Sequence, residues 1–300
     1  MYRTLNLETW DQFIFYIPEW FKTYVFRGQA DSDWKLETSF DRAKFDRTYE
    51  NEISLFSKFK SGSLNYDLSF RPSGILEWFA LMQHHGLPTR LLDFTTSPFI
   101  ASYFAFEHYS SVEDLHQYSE KRVSIWAIEI NTIKEQSRHY LPKKNFPQHF
   151  ANMPKSFNFE LYKFWGKKEA DFVFNRNLEQ FCFLCTPEFQ NNRMINQKSV
   201  FLAVSRPDFF AYQQLSSMEL EPNAIYKITL PITEAKKALR YLALMNINSE
   251  TLFPSLDGLA KRIKTEKEIE FTNNVIYGIK FPKEYLSYSD LKHLEKETDF

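Results

Sequence analysis

Between residues 7 and 22 the apolar side chains Trp10, Phe13, Ile14, Ile17 and Phe21 recur three or four positions apart, which predicts a helix with one buried face. Residues 23–29 are β-prone and carry Gly28, so a strand closing in a tight turn is expected, with Arg27 at its end. Helical spacing returns at 48–60 through Ile53, Leu55, Phe56 and Phe59, and at 74–84 through Ile75, Trp78, Phe79 and Met82. Gly86 and Pro88 break that second helix after His85, and 91–95 reads as a brief buried strand. Ser97 as N-cap and Pro98 as first helical residue open a further helix, with Ile100, Ala101, Phe104 and Ala105 turned inward. The runs 123–130, 199–205 and 224–230 are β-rich. Non-adjacent strands with helices between them predict an α+β domain.

Composition narrows the chemistry. The 300 residues carry 37 basic and 38 acidic side chains, a net charge of −1, so neither a histone-like nor a strongly acidic protein is expected. Only seven residues are glycine, and no pair has the spacing of a dinucleotide-binding G-x-G-x-x-G or a phosphate-binding G-x-x-x-x-G-K loop. A G-x-S-x-G elbow, an H-E-x-x-H zinc helix and the paired motifs of zinc deaminases are missing as well. Cys182 and Cys185 form a C-x-x-C without further soft ligands at a plausible spacing, so they are read as core residues and no metal site is expected. No apolar run reaches the length of a membrane span, and Glu8, Asp11, Pro18 and Glu19 break the pattern of a signal peptide. A cytoplasmic, reducing location without a membrane partner is the expectation.

Charge is unevenly placed. From Lys121 to Lys168 ten Lys or Arg stand against three acids, interleaved with Trp126, Tyr140, Phe146, Phe150, Phe157, Phe159, Tyr162, Phe164 and Trp165. Cations that hold phosphates and rings that stack on bases make nucleic acid, RNA or DNA, a candidate partner. The residues expected on it are Lys143, Lys144, Lys163, Trp165, Lys167 and Lys168. The alternative is a solvated loop whose aromatics dock on the core.

Two segments set costly polar side chains among apolar ones. One is Val25-Phe26-Arg27-Gly28-Gln29, with an arginine at a strand end. The other runs from Gln83 through His84, His85, Thr89, Arg90 and Asp93 to Thr95, Thr96 and Ser97. On a strand, Asp93 and Thr95 share one face while Phe94 takes the other. The readings open for the first are an ion pair or a site, and for the second a hydrogen-bond hub or a site.

At these residues the chain resembles the FRG family, whose name describes Phe26-Arg27-Gly28. The likeness continues through Trp34-Lys35-Leu36 and from Ala80-Leu81-Met82-Gln83-His84 to Tyr103-Phe104-Ala105. It resumes at Arg193-Met194-Ile195-Asn196-Gln197, leading to Phe201, and at residues 252–260. It implies an FRG domain over 23–264 with the basic aromatic stretch 121–168 as an insertion. A helical lead-in would occupy 1–22, and a C-terminal strand and helical tail 265–300. A second resemblance, to ADP-ribosyltransferases, rests on the aromatic-Arg-Gly strand and on a helix carrying Ala101 and then Phe104-Ala105. Asp93-Phe94-Thr95 then stands where those enzymes have Ser-Thr-Ser, and Gln197-Lys198-Ser199 where they have Gln-x-Glu, without the glutamate.

The second resemblance implies a single ADP-ribosyltransferase-like domain with a split β-sheet core and flanking helices, and NAD as cofactor. Phe26, Arg27, Gly28, Gln29, His85, Arg90 and Thr95 would hold the cofactor, with Arg27 clamping its pyrophosphate or ribose by forked hydrogen bonds. Arg27, His84, Asp93 and Gln197 would carry the catalysis, the missing carboxylate coming from Asp93, Glu107 or Glu129. Because FRG proteins are frequent in bacterial defence settings, the implied role is a toxin or anti-phage effector that modifies nucleic acid, RNA favoured over DNA, and is restrained by an antitoxin or chaperone. Two readings remain beside it: a non-catalytic nucleotide-sensing or RNA-binding module, and a hydrolase or nuclease using His84, His85 and Asp93.

Overall fold

The structure, a computed structural model, describes residues 2–68, 71–72, 74–112, 115–140, 174–187, 190–269 and 295–298. The chain opens with strand β1 (Tyr2–Asn6), helix α1 (Trp10–Trp20) and strand β2 (Tyr24–Gln29). Helices α2 (Tyr49–Gly62) and α3 (Ile75–His84) precede β3 (Leu91–Thr95) and α4 (Pro98–Phe106). Next come β4 (Arg122–Glu129), α5 (Ile130–Tyr140), β5 (Cys182–Cys185), the short α6 (Asn192–Asn196) and β6 (Ser199–Val204). The remainder comprises α7 (Ala211–Ser217), β7 (Ile225–Pro231), α8 (Ala235–Leu244), α9 (Ser249–Leu252), α10 (Leu256–Glu268) and β8 (Glu295–Thr298). Among the described residues no helix is long and apolar enough to cross a membrane.

The expected α+β class is what the strands and helices build: one mixed sheet in the order β5-β6-β3-β2-β4-β7-β1-β8, with β1 and β7 its parallel pair. An apolar layer covers each face. Val25, Trp126, Ile128, Leu92 and Phe94 belong to one core cluster. Phe26, Ile125, Ala127, Ala101 and Ala105 belong to the other. Strand β4 is therefore buried on both faces, which is why 123–128 is nearly unbroken apolar sequence rather than alternating.

Local signals explain most boundaries. Thr9 caps α1, accepting from Gln12 N at 3.3 Å while the Gln12 side chain accepts from Thr9 N at 3.2 Å. Ser97 accepts from Ile100 N, and Pro98 begins α4. Gly86 takes φ 81°, a left-handed conformation that ends α3 at low cost.

Two expectations change. The lead-in 1–22 is more than a helix, because β1 pairs with β7 and β8. Its buried positions, Tyr2 and Leu5, lie three apart, so it lacks the two-residue alternation that marks a strand. The stretch from residue 121 likewise starts inside the core: β4 lies between β2 and β7. Trp126 is buried and donates from Nε1 to Gln29 Oε1 at 2.7 Å, so it offers no face to a base. Arg122 is engaged by the Leu7 carbonyl, by Thr229 and by Glu8. Lys143, Lys144, Lys163, Trp165, Lys167 and Lys168 lie outside the described residues.

Candidate functional site

The sheet parts at its middle. Strand β2 pairs with β4 along its whole length, Tyr24 opposite Glu129 through to Gln29 opposite Ser124. On its other side it pairs with β3 at Phe26 and Thr95 alone, while β3 runs in full register with β6, from Leu91 opposite Ala203 to Thr95 opposite Ser199. Away from that one pair the two strands diverge. A cavity of about 450 Å³ opens there, within the size range of small-ligand sites.

Gly28 sets the floor. Alternation along β2 puts Phe26 and Gly28 on the α4 side and Arg27 on the other. A Cβ at Gly28 would come within 1.9 Å of the Ala101 carbonyl oxygen and 2.8 Å of Ala105 N. Glycine is required because α4 lies directly on the strand, and the two alanines of α4 keep the approach close.

Arg27 spans the parting. Its Nη1 donates to the backbone carbonyl of Asp93 at 2.8 Å and lies 3.9 Å from Asp93 Oδ2. A side-chain hydrogen bond thus joins β2 to β3 where the ladder has stopped. The side chain is 17% exposed, and its Nε is buried without a hydrogen-bond partner. Burial pushes its pKa down, Asp93 opposes that, and nearby Arg42 adds to it. Arginine retains its charge under such shifts. Asp93 is 64% exposed, so its attraction is screened and amounts to about 0–1 kcal/mol.

The far wall comes from α6 and the residue after it. Arg193, Gln197 and Ser199 line the cavity, and Lys198, between the last two, is turned to φ 47°. Gln197 Nε2 donates to the Leu252 carbonyl at 3.0 Å, and Asn196 Nδ2 to that of Thr251 at 2.6 Å. The Arg193 guanidinium lies 4.7 Å over the Phe253 ring, which also meets Phe104 of α4. Gly258 is again a packing glycine, since a Cβ would fall 2.0 Å from the Phe253 carbonyl oxygen. Segments 193–197 and 252–258, far apart in sequence, are one wall.

Of the residues picked out by sequence, Phe26, Arg27, Gly28, Gln29, Asp93, Thr95 and Gln197 line the cavity together. Thr95 is buried and accepts from Ser97 N at 3.1 Å. Gln29 accepts from Trp126 and donates to the Lys35 carbonyl at 3.0 Å, holding the loop after β2 against the sheet. His84, His85 and Arg90 are not among the lining residues. His84, half-buried at the end of α3, has its pKa lowered by burial and by the neighbouring charges of Arg193 and His85. Arg90 is 2% exposed and pairs with Glu52, 1% exposed, Nε donating to Oε1 at 2.7 Å and Nη1 to the Ser205 carbonyl at 2.8 Å. With its donors committed, Arg90 ties α2 to the sheet. Of the proposed substitutes for the missing glutamate, Glu107 pairs with Lys261 and Glu129 accepts from Thr132 N at 2.6 Å; neither lines the cavity.

Sequence reasoning missed Glu37, Arg42, His108 and Arg193 as lining residues, and Trp34, 54% exposed, as an aromatic wall. The available signal was, for Trp34, Glu37, Arg42 and His108, their place next to the first motif and the α4 helix, and for Arg193 its place at the head of the motif that ends in Gln197. Four cations, Arg27, Lys35, Arg42 and Arg193, face two carboxylates, Glu37 and Asp93, so the cavity favours an anion although the chain is near neutral.

The FRG domain family model matches residues 22–114, which include β2, α2, α3, β3 and α4 and therefore the floor of the cavity and Arg27. Searches among curated proteins and among solved structures give no match.

Proposed function

We propose that this chain is an NAD-dependent ADP-ribosyltransferase with an ADP-ribosyltransferase-like fold, a cytoplasmic bacterial toxin or anti-phage effector. It acts on nucleic acid, RNA before DNA, and is restrained by an antitoxin or chaperone. The observation that carries the reading is Arg27: a largely buried guanidinium with an unpartnered Nε, set at the parting of the sheet in a cavity with surplus positive charge. A pyrophosphate supplies oxygens for such a fork. Trp34 and Phe104 line the same cavity, aromatic side chains of the kind on which a base or a nicotinamide stacks. Nicotinamide departs as a neutral molecule, leaving positive charge on the ribose carbon, and a carboxylate in the cavity would stabilise it.

The test incubates purified protein with labelled NAD and RNA, DNA or cell lysate. Arg27→Ala is expected to abolish label transfer, and transfer unaffected by that change refutes the assigned role. The second reading, a nucleotide-sensing or RNA-binding module, is favoured by Gln197, whose amide is donated to Leu252 and which carries no charge. It expects saturable, salt-dependent binding without nicotinamide release, so measuring release separates the two.

A further inference from the structure

We infer that Glu37 is the carboxylate that stabilises the ribosyl cation, in place of the glutamate missing after Gln197; the inference rests on the NAD-dependent reading above. In that reaction the bond between ribose C1′ and the nicotinamide nitrogen breaks and its electron pair leaves with nicotinamide. An acceptor oxygen or nitrogen, or water, gives its lone pair to C1′ and releases its proton to solvent. Cationic character at C1′ calls for a fixed negative charge close by.

Among the described residues two carboxylates line the cavity. Asp93 sits 3.9 Å from the guanidinium that would hold the pyrophosphate, so it lies at the anionic end of the ligand, where it is repelled by phosphate rather than drawn to a cation. Glu37 has no such partner: its carboxylate makes no hydrogen bond or ion pair with the described residues, and it is half-buried. Its backbone is nevertheless fixed. Leu36 and Thr38 on either side are buried, Thr38 N donates to Asp41 Oδ2 at 2.7 Å, and the Glu37 carbonyl accepts from Arg42 Nη1. A charged side chain on an anchored backbone, with no competing partner, is available to turn toward a charge that develops later.

The experiment measures NAD binding by calorimetry and nicotinamide release for the full chain and for Glu37→Gln and Asp93→Asn, with circular dichroism to confirm the fold. Glu37→Gln is expected to bind NAD within about threefold of the parent and to lose about 100-fold in limiting release rate. The effect of Asp93→Asn is expected to fall on KM. Release by Glu37→Gln within threefold of the parent, or a larger loss of limiting rate in Asp93→Asn, overturns the assignment while leaving the NAD reading in place. A parent chain that binds NAD but releases no nicotinamide overturns both.

Discussion

Replacing Gly28 by alanine tests how α4 and β2 build the site. The added Cβ would stand 1.9 Å from the Ala101 carbonyl oxygen, where carbon and oxygen normally approach to about 3.3 Å. Something must move by more than an ångström, and because the obstruction is helix backbone, no rotamer change relieves it. Shifting α4 would in turn open gaps around Ile100, Ala101, Ala105 and Phe106, all buried. Overpacking costs about 1–3 kcal/mol, and with the lost helix contacts the expected destabilisation is about 3–5 kcal/mol. At roughly 2–4 °C per kcal/mol for a chain of this size, the melting temperature should fall by about 10 °C. Gly62→Ala is the control: nothing lies within 4 Å of a Cβ there, and in the last turn of α2 alanine is expected to stabilise by about 0.5–1 kcal/mol. Urea titrations of both variants measure the difference. Gly28→Ala as stable as the parent would refute the close approach of α4.

Two further outcomes follow from buried and half-buried charges. Arg90→Ala strands Glu52 as an unpaired buried carboxylate and should cost about 3–5 kcal/mol, whereas Arg90→Met combined with Glu52→Leu should recover most of it; equal losses in urea titrations would show the pair is not coupled. The lowered pKa of His84 means that the folded chain resists a proton that the unfolded chain accepts below about pH 6.5, so stability contributed by this residue declines as pH falls through that value; His84→Asn should flatten the decline measured between pH 7.5 and 5.5.

Much of the fold was legible because local signals and burial agree. The helices at 75–84 and 98–106 and the strands at 91–95 and 199–204 stand where periodicity, Gly86, Ser97 and Pro98 place them. The run 83–98 combined two roles that sequence could not separate. Its first part is a hydrogen-bond hub, where Thr89 donates to Gln83, accepts from Leu91 N, and meets Ser39, while Arg90 meets Glu52. Its second part, Asp93 to Thr95, faces the cavity. A sign of the hub was present in α2: Glu52 occupies the helix face of Tyr49 and Phe56, a position for a carboxylate that has a buried cation waiting. Glu37, Arg42 and Arg193 were harder to read, because the place of a loop or a short helix against a cavity is set by distant contacts such as Gln29 to Lys35 and Gln197 to Leu252.

The state of Arg27 ties these contacts to chemistry. A buried donor without a partner costs about 1–3 kcal/mol, and Nε of Arg27 carries that cost. Its bond to the Asp93 carbonyl joins β2 to β3 without satisfying that donor, and the attraction to the exposed Asp93 carboxylate is weak. Nε itself is fully buried, so an anionic ligand oxygen would meet the exposed part of the side chain, and satisfying Nε would require the guanidinium to turn. A structural arginine shows the opposite pattern in the same chain: Arg90 has its guanidinium committed to a buried carboxylate and a carbonyl. The distinction between the two arginines is therefore one of unsatisfied capacity rather than depth; Trp10 Nε1 is likewise buried without a hydrogen-bond partner, and what sets Arg27 apart is that its side chain also lines the cavity at the parting between β2 and β3.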